Sequence, residues 1–340
     1  MNKKIHVMGS LLLLLISTIS FAQPKEKKEK YEFKKEKTIN KTYSASGNKL
    51  SIDNSFGYVK VKTVSGNEIK VDVSIEVTAN KQDLAEQLFE KLEVTDKQDG
   101  NNIRFKTVLD NKKKDKNYSC NNCKNTLQIN YEISLPANVP LDIENQFGDI
   151  IVPDYTAPIS LTSKFGKLEA GKLANVKNIK VEFGNADIKS LGNINASFKF
   201  SQINIGNLTG ANKLNIEFCD VSRVFLDNNL SSLTVSQSYS TLNIMPPSSL
   251  GADYKIRTSF GSVEDRAKIG ITRTDTPDRY GPDSNREYSG QSGNGQSKIE
   301  VKTSFGDVII GEPAPGTLEK KKNRSGKGSA NAGSSNKEVI

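Results

Sequence analysis

The chain reads as all-β: a parallel β-solenoid, or β-helix, with coils of about 18–21 residues, plus one short amphipathic helix in an N-terminal β segment. The first observation is a phrase repeated along the second half, in which an aromatic and a small residue are flanked by alternating apolar positions. It stands around Phe147-Gly148, Phe165-Gly166, Phe183-Gly184 and Phe200-Ser201, is weaker at Phe218-Cys219-Asp220-Val221 and Tyr239-Ser240, and returns clearly at Phe260-Gly261 and Phe305-Gly306. The second is the spacing: from Phe147 to Phe260 successive aromatics lie 18, 18, 17, 18, 21 and 21 residues apart. The third is the period-2 alternation inside each phrase, which marks a strand with one dry face that cannot be buried alone. Stacked parallel coils supply the missing partner, with strands roughly 4.8 Å apart.

This arrangement predicts an internal aromatic ladder of Phe56, Phe147, Phe165, Phe183, Phe200, Phe218, Tyr239, Phe260 and Phe305. Loss of one internal ring would cost about 3–5 kcal/mol, whereas changing Lys167 would do almost nothing. The small residue after each aromatic suits a corner where a neighbouring backbone comes close. Ser201, Cys219 and Ser240 in that slot argue for close approach rather than an obligatory positive φ. A β-sandwich is the competing architecture, but its strands seldom repeat one phrase at one spacing.

From the N-terminus, Lys3 and Lys4 precede the apolar run Leu11 to Ile16, and Ser20-Phe21-Ala22 supplies small residues at a cleavage point, so 1–22 reads as a secretory signal peptide. The run is too short for a comfortable membrane span. Residues 23–37 form a lysine- and glutamate-rich leader. The segment 38–140 opens with Leu50 and Ile52, continues through Phe56-Gly57 to Val59 and Val61, and alternates strictly from Ile69 to Val77. Leu84, Leu88, Phe89 and Leu92 share one stripe of a helix beginning near Asp83, with Asn80 or Asp83 as its cap. Strands at 103–109 and 127–135 flank a basic polar loop. The coils occupy 141–311, interrupted by a polar insertion at 265–298, and 312–340 is a disordered basic tail rich in Lys, Gly and Ser.

His6 is the only histidine in the sequence, and it lies in the signal segment. Histidine-dependent triads and His-ligated metal sites are therefore excluded from the mature chain. No catalytic, cofactor-binding or metal-binding residue is singled out. Asp149, Asp187, Asp220 and Asp307 follow the aromatic-small pairs and read as solvated outward positions, with a catalytic or calcium row as the sharper alternative. Cys120 and Cys123 read as a local disulfide in an oxidising compartment, with free thiols or a metal or redox role as alternatives. Cys219 fills a packing slot. The net charge of +9 and pI near 9.2 suit anionic surfaces, and no nucleic-acid motif accompanies them.

The order of signal peptide, early Phe-Gly strand, alternating strand, short helix, strand ending at Leu135-Pro136 and serial Phe-Gly coils resembles the secreted bacterial "putative adhesin" family of domains of unknown function, over about residues 40–311. The resemblance implies a parallel β-solenoid displayed outside the cytoplasm, with an adhesive or surface-interaction role and no known catalytic residues. The Cys120/Cys123 loop, the insertion before Phe305 and the lysine-rich tail depart from it. The expected function is thus a non-enzymatic adhesin or cell-envelope scaffold, in the periplasm, on the outer surface or secreted. It would bind a glycan, an anionic polysaccharide, another envelope component or a protein partner, without a transmembrane segment in the mature chain. Lys164, Lys167, Asn185, Lys189, Asn204 and Asn207 are the candidate surface contacts. Two other readings stay open: a carbohydrate-active enzyme on a β-helix, and a periplasmic regulatory partner of an envelope protein.

Overall fold

The computed structural model describes residues 31–110, 121–277 and 283–312. These residues form an all-β structure with one helix, Gln82–Lys91. The signal segment, Cys120 and residues 313–340 of the tail lie outside the described residues.

Two ladders of parallel strands carry the molecule. The first runs in space through Asn102–Leu109, Lys49–Ser55, Leu141–Gln146, Tyr155–Lys164, the later part of Lys167–Glu182 and then Asn195–Lys199. It continues through the later parts of Gln202–Glu217 and Val221–Ser238 to Ser297–Ser304 and Ala252–Ser259. The second runs through Asn125–Leu135, Val59–Thr63, Ile150–Val152, the early part of Lys167–Glu182 and Asn185–Gly192. It goes on through the early parts of Gln202–Glu217 and Val221–Ser238 to Thr241–Met245, Asp307–Ile310 and Val263–Asp265. From Lys49–Ser55 onward each rung takes one strand from each ladder, and the joint between them is the aromatic-small pair.

Alternation places one apolar residue per rung over the next. In the first ladder Ile52, Ile143, Leu161, Ile179, Ala196 and Leu214 form a buried column by register. In the second, Val59, Ile150, Leu168, Ala186 and Ile203 do the same. The next member of that column is Ser222, fully buried, because Gln202 pairs with Val221 although Phe200 and Phe218 are 18 residues apart. One extra residue after Cys219 shifts the phase, so Val221, which the repeated phrase places inward, faces out.

Both ladders end in antiparallel pairing at the N-terminal side, the first in Leu92–Asp99 and the second in Glu68–Ala79 followed by Phe33–Ser44. The outermost of them, Phe33–Ser44, carries lysines that discourage edge-to-edge pairing. Phe33 to Lys37 therefore belong to a strand and not to an exposed leader; Lys34 pairs with Glu76 at 2.9 Å and Lys35 with Glu86 at 3.0 Å. Leu92–Asp99 is a strand that its polar composition concealed. The helix packs Leu88 and Phe89 on the core as its stripe predicts, but neither Asn80 nor Asp83 caps it: the preceding residue is Lys81, with no side-chain cap. Asn80 instead accepts the Lys124 N–H at 3.0 Å and donates to the Asn122 carbonyl at 2.8 Å.

The insertion at 265–298 is partly regular. Asn285–Ser292 pairs antiparallel with Ala252–Ser259, and Ser297–Ser304 then inserts between Ala252–Ser259 and the late part of Val221–Ser238. The spatial order of corners is thus Tyr239, Phe305, Phe260, which departs from sequence order.

The small slot is set by close approach, as the sequence indicates. A Cβ on Gly148 would lie 1.9 Å from the Gly57 carbonyl oxygen, on Gly166 2.0 Å from that of Gly148, and on Gly184 1.9 Å from that of Gly166. Where the slot holds Ser201, Cys219 or Ser240, the side chain turns back to the carbonyl two residues earlier, at 2.7, 3.3 and 2.8 Å. Cys219 is a free, buried thiol, and burial pushes it up to about 11. Gly166→Ala should therefore cost about 2–3 kcal/mol by forcing two rungs apart, read as a lowered urea midpoint. Cys219 should react with a thiol reagent at pH 8 only as fast as the protein unfolds, and rapid native-state labelling would contradict its burial.

Candidate functional site

The aromatic ladder exists, but it is on the outside. Eight rings are 44–59 % exposed, from Phe218 at 44 % to Phe260 at 59 %, and Phe56 is half-buried. They stack in the order Phe56, Phe147, Phe165, Phe183, Phe200, Phe218, Tyr239, Phe305, Phe260. Centroids are 4.7–5.5 Å apart and the planes within 7° of parallel, so the ridge runs roughly 40 Å at the spacing of the strands beneath it.

The reason lies in the backbone. All nine aromatics have positive φ, from 50° at Phe200 and Tyr239 to 67° at Phe56, whereas none of the small residues after them does. Strict alternation from Ile143 through Asn145 would point Phe147 inward. The left-handed residue interrupts the alternation at the corner, turning the ring to solvent and leaving Asn145 as the last buried side chain of its strand. The left-handed conformation therefore belongs to the aromatic, and an interior cost of 3–5 kcal/mol per ring does not apply.

Beneath the ridge runs a column formed by the residue two before each aromatic. It is apolar in the middle, at Val181, Phe198 and Ile216, and polar towards both ends. Asn54 donates to Asn145 Oδ1 at 3.0 Å, Asn145 to the Gly57 carbonyl at 2.8 Å, and Gln237 to Thr303 Oγ1 at 2.9 Å and the Asp307 carbonyl at 3.1 Å. These buried amides tie the corner carbonyls of the outer rungs.

Two outward rows border the ridge. The residue before each aromatic gives Gln146, Lys164, Glu182, Lys199, Glu217 and Ser238 in spatial order, alternating in sign through its centre. Local partners hold these charges: Lys164 to Glu144 at 2.9 Å, Glu182 to Lys180 at 3.0 Å and Lys199 to Glu217 at 3.0 Å. The hydrogen bond to Glu144 raises the Lys164 ammonium above its ordinary range, and the one to Glu169 does the same for Lys167, so both stay cationic. The other row carries Asp149, Lys167, Asn185, Gln202, Val221 and Thr241.

Beside this second row lies a shallow groove of about 300 Å³, walled by Lys167, Asn185, Asp187, Asn204, Val221 and Arg223. Of the sequence-predicted surface contacts it gathers Lys167, Asn185 and Asn204. Lys164 stands across the ridge, Lys189 is exposed outside the groove, and Asn207 bonds Asp227. Arg223 and Val221 were concealed by the phase shift in their rung. Several acidic side chains bind the backbone of a neighbouring rung: Asp149 accepts the Lys167 N–H at 2.8 Å, Asp154 that of Lys172 at 2.8 Å, and Asp307 that of Ser262 at 3.2 Å. Among the described residues no group of three or more Cys, Asp or Glu could hold a metal ion, and no helix is long and apolar enough to cross a membrane.

No family model matches the sequence, and no curated protein does. Solved structures with which it shares likeness include a putative cell adhesion protein from Clostridium sporogenes, at 15 % identity and TM-score 0.22, covering 82 % of this chain and 100 % of that one. A putative adhesin from Bacteroides fragilis aligns at 11 % identity and TM-score 0.32, covering 81 % and 97 %.

Phe183→Ala should lose two stacking contacts of about 0.5–1.5 kcal/mol each, with no cavity term because the site opens to water. Phe183→Gly should be no less stable than Phe183→Ala, because it relieves the left-handed strain of about 1–2 kcal/mol. An interior position would give the opposite order, and urea midpoints of the two variants decide between them.

Proposed function

We propose that the chain is an exported, non-enzymatic β-solenoid that acts as an adhesin or cell-envelope scaffold and binds a surface partner along its aromatic ridge. The ridge is the observation that carries this reading. Placing an aromatic in the left-handed region costs about 1–2 kcal/mol, and each stacked pair returns about 0.5–1.5 kcal/mol. Nine rings share eight pairs, so stacking alone does not repay the strain. Asn or Gly would make the same corner at lower cost. A continuous, half-exposed apolar strip flanked by polar rows is the form of an interaction surface. The amide-bearing groove at Asn185, Gln202 and Asn204 extends that surface to one side.

The test compares the purified protein with the triple variant Phe165→Asn, Phe183→Asn, Phe200→Asn, which keeps residues tolerant of the left-handed region. Both are applied to immobilised glycans, envelope polysaccharides and isolated envelopes at two salt concentrations, and the same wells are assayed for released product. Salt-resistant retention on the isolated envelopes that falls at least tenfold in the variant, with unchanged far-UV circular dichroism and no product, is the expected result. Product release would replace this reading with a carbohydrate-active enzyme.

A further inference from the structure

We propose that the partner of the aromatic ridge is the ridge of a second copy of this chain, laid antiparallel across it; the proposal rests on the reading of the ridge as a binding surface. Ring geometry narrows the field first. Every ring but the last at each end has both faces covered by neighbours 4.7–5.5 Å away, so the ridge presents ring edges. A sugar packs its C–H groups on the negative face of an aromatic, and the positive edge does not serve. The fitting partner is a straight, narrow apolar strip of similar length whose bordering rows share the same pitch. The chain itself carries one.

Charge order selects the direction. A two-fold axis in the plane of contact and perpendicular to the ridge reverses one copy while keeping each bordering row against its own counterpart. Centred between the Phe183 and Phe200 rungs, it sets Glu182 opposite Lys199 of the second copy and Lys164 opposite Glu217 of the second copy. On the other flank Asn185 meets Gln202, Lys167 meets Val221 and Asp149 meets Thr241. No like charges face one another. The parallel alternative exchanges the flanks and brings Lys164 against Lys167.

A ridge of roughly 40 Å by about 10 Å buries on the order of 800 Å² in total, below the range of stable complexes. The pairing is therefore weak in solution and gains strength where many copies face one another on opposed surfaces.

Sedimentation velocity from about 10 µM to about 1 mM reads this directly, at 50 and 500 mM salt. The wild-type protein should form a reversible dimer with a Kd of roughly 0.1–1 mM. Lys199→Glu should weaken it at least tenfold by facing Glu182 of the second copy. The double variant Glu182→Lys, Lys199→Glu restores opposite signs and should recover association to within about threefold. Lys213→Glu, an equal charge change on an exposed position of the neighbouring strand Gln202–Glu217 away from the ridge, should leave it unaltered. A wild-type monomer throughout the range, a Lys199→Glu variant that associates normally, or a double variant as weak as the single would each overturn the proposal. Ridge-dependent retention on polysaccharide by a strictly monomeric protein would overturn the second-copy assignment alone. Binding unaffected by the triple Phe→Asn variant would overturn the ridge reading as well.

Discussion

At the corners of the rungs the backbones of neighbouring rungs lie so close that a Cβ would collide with a carbonyl. With the Gly148, Gly166 and Gly184 Cα atoms set against the carbonyl of the preceding rung, there is no room for a side chain, and the chain must turn on the residue before. That residue adopts the left-handed conformation, and its side chain is thrown outward. Ladder spacing, external stacking and the buried polar column beneath all follow from this one contact. The three rungs that place Ser or Cys in the slot use the extra heteroatom to hold a carbonyl two residues back. The exception thus obeys the same constraint.

A corner of this kind separates two tasks that a strand usually performs together. The interior columns at Leu161, Ile179, Leu168 and their neighbours vary in size and provide burial. The ridge varies little and provides no full burial. Since the rings inherit their 4.7–5.0 Å spacing across the centre of the stack from the strands, their mutual arrangement is preorganised before any partner arrives. The bordering charges are likewise fixed by short local ion pairs. Exposed pairs of that sort add little stability, and their value lies in fixing which sign stands at which rung.

Much of the fold was legible in the sequence. The repeated phrase and its spacing located the parallel rungs from Phe147 to Tyr239, and period-2 alternation identified the buried columns. The direction of the aromatics was not legible, because alternation carried through Gln146 and across the corner points Phe147 inward, and only the left-handed φ breaks the count. Val221 and Ser222 exchanged faces for a related reason: one extra residue after Cys219 left the aromatic spacing at 18 and changed the phase behind it. Strands Phe33–Ser44 and Leu92–Asp99 were hidden by composition, since outer antiparallel strands with charged faces resemble polar connections. Of the candidate contacts, the sequence found Lys167, Asn185 and Asn204 through their outward register, while Arg223 lay one position out of phase.

The late strand Ser297–Ser304 bears on how the molecule comes into being. Rungs from Leu141–Gln146 to Tyr239 can be added in the order in which the chain is read, each on the one before, whereas Lys49–Ser55 already waits for Asn102–Leu109 and Leu141–Gln146. Ala252–Ser259 cannot, because both of its hydrogen-bonding neighbours, Asn285–Ser292 and Ser297–Ser304, come after it in the chain. Growth by simple accretion halts there, and the last three strands of the first ladder must assemble with one another before or as they dock. Contacts of long sequence separation, such as Gln237 with Thr303 and Asp307, close only in that final step. Long-range pairing of this kind is slow, and Asn54 with Asn145 imposes it at the other end as well, so the two ends of the stack, and not its repeating body, set the pace at which the native chain is completed.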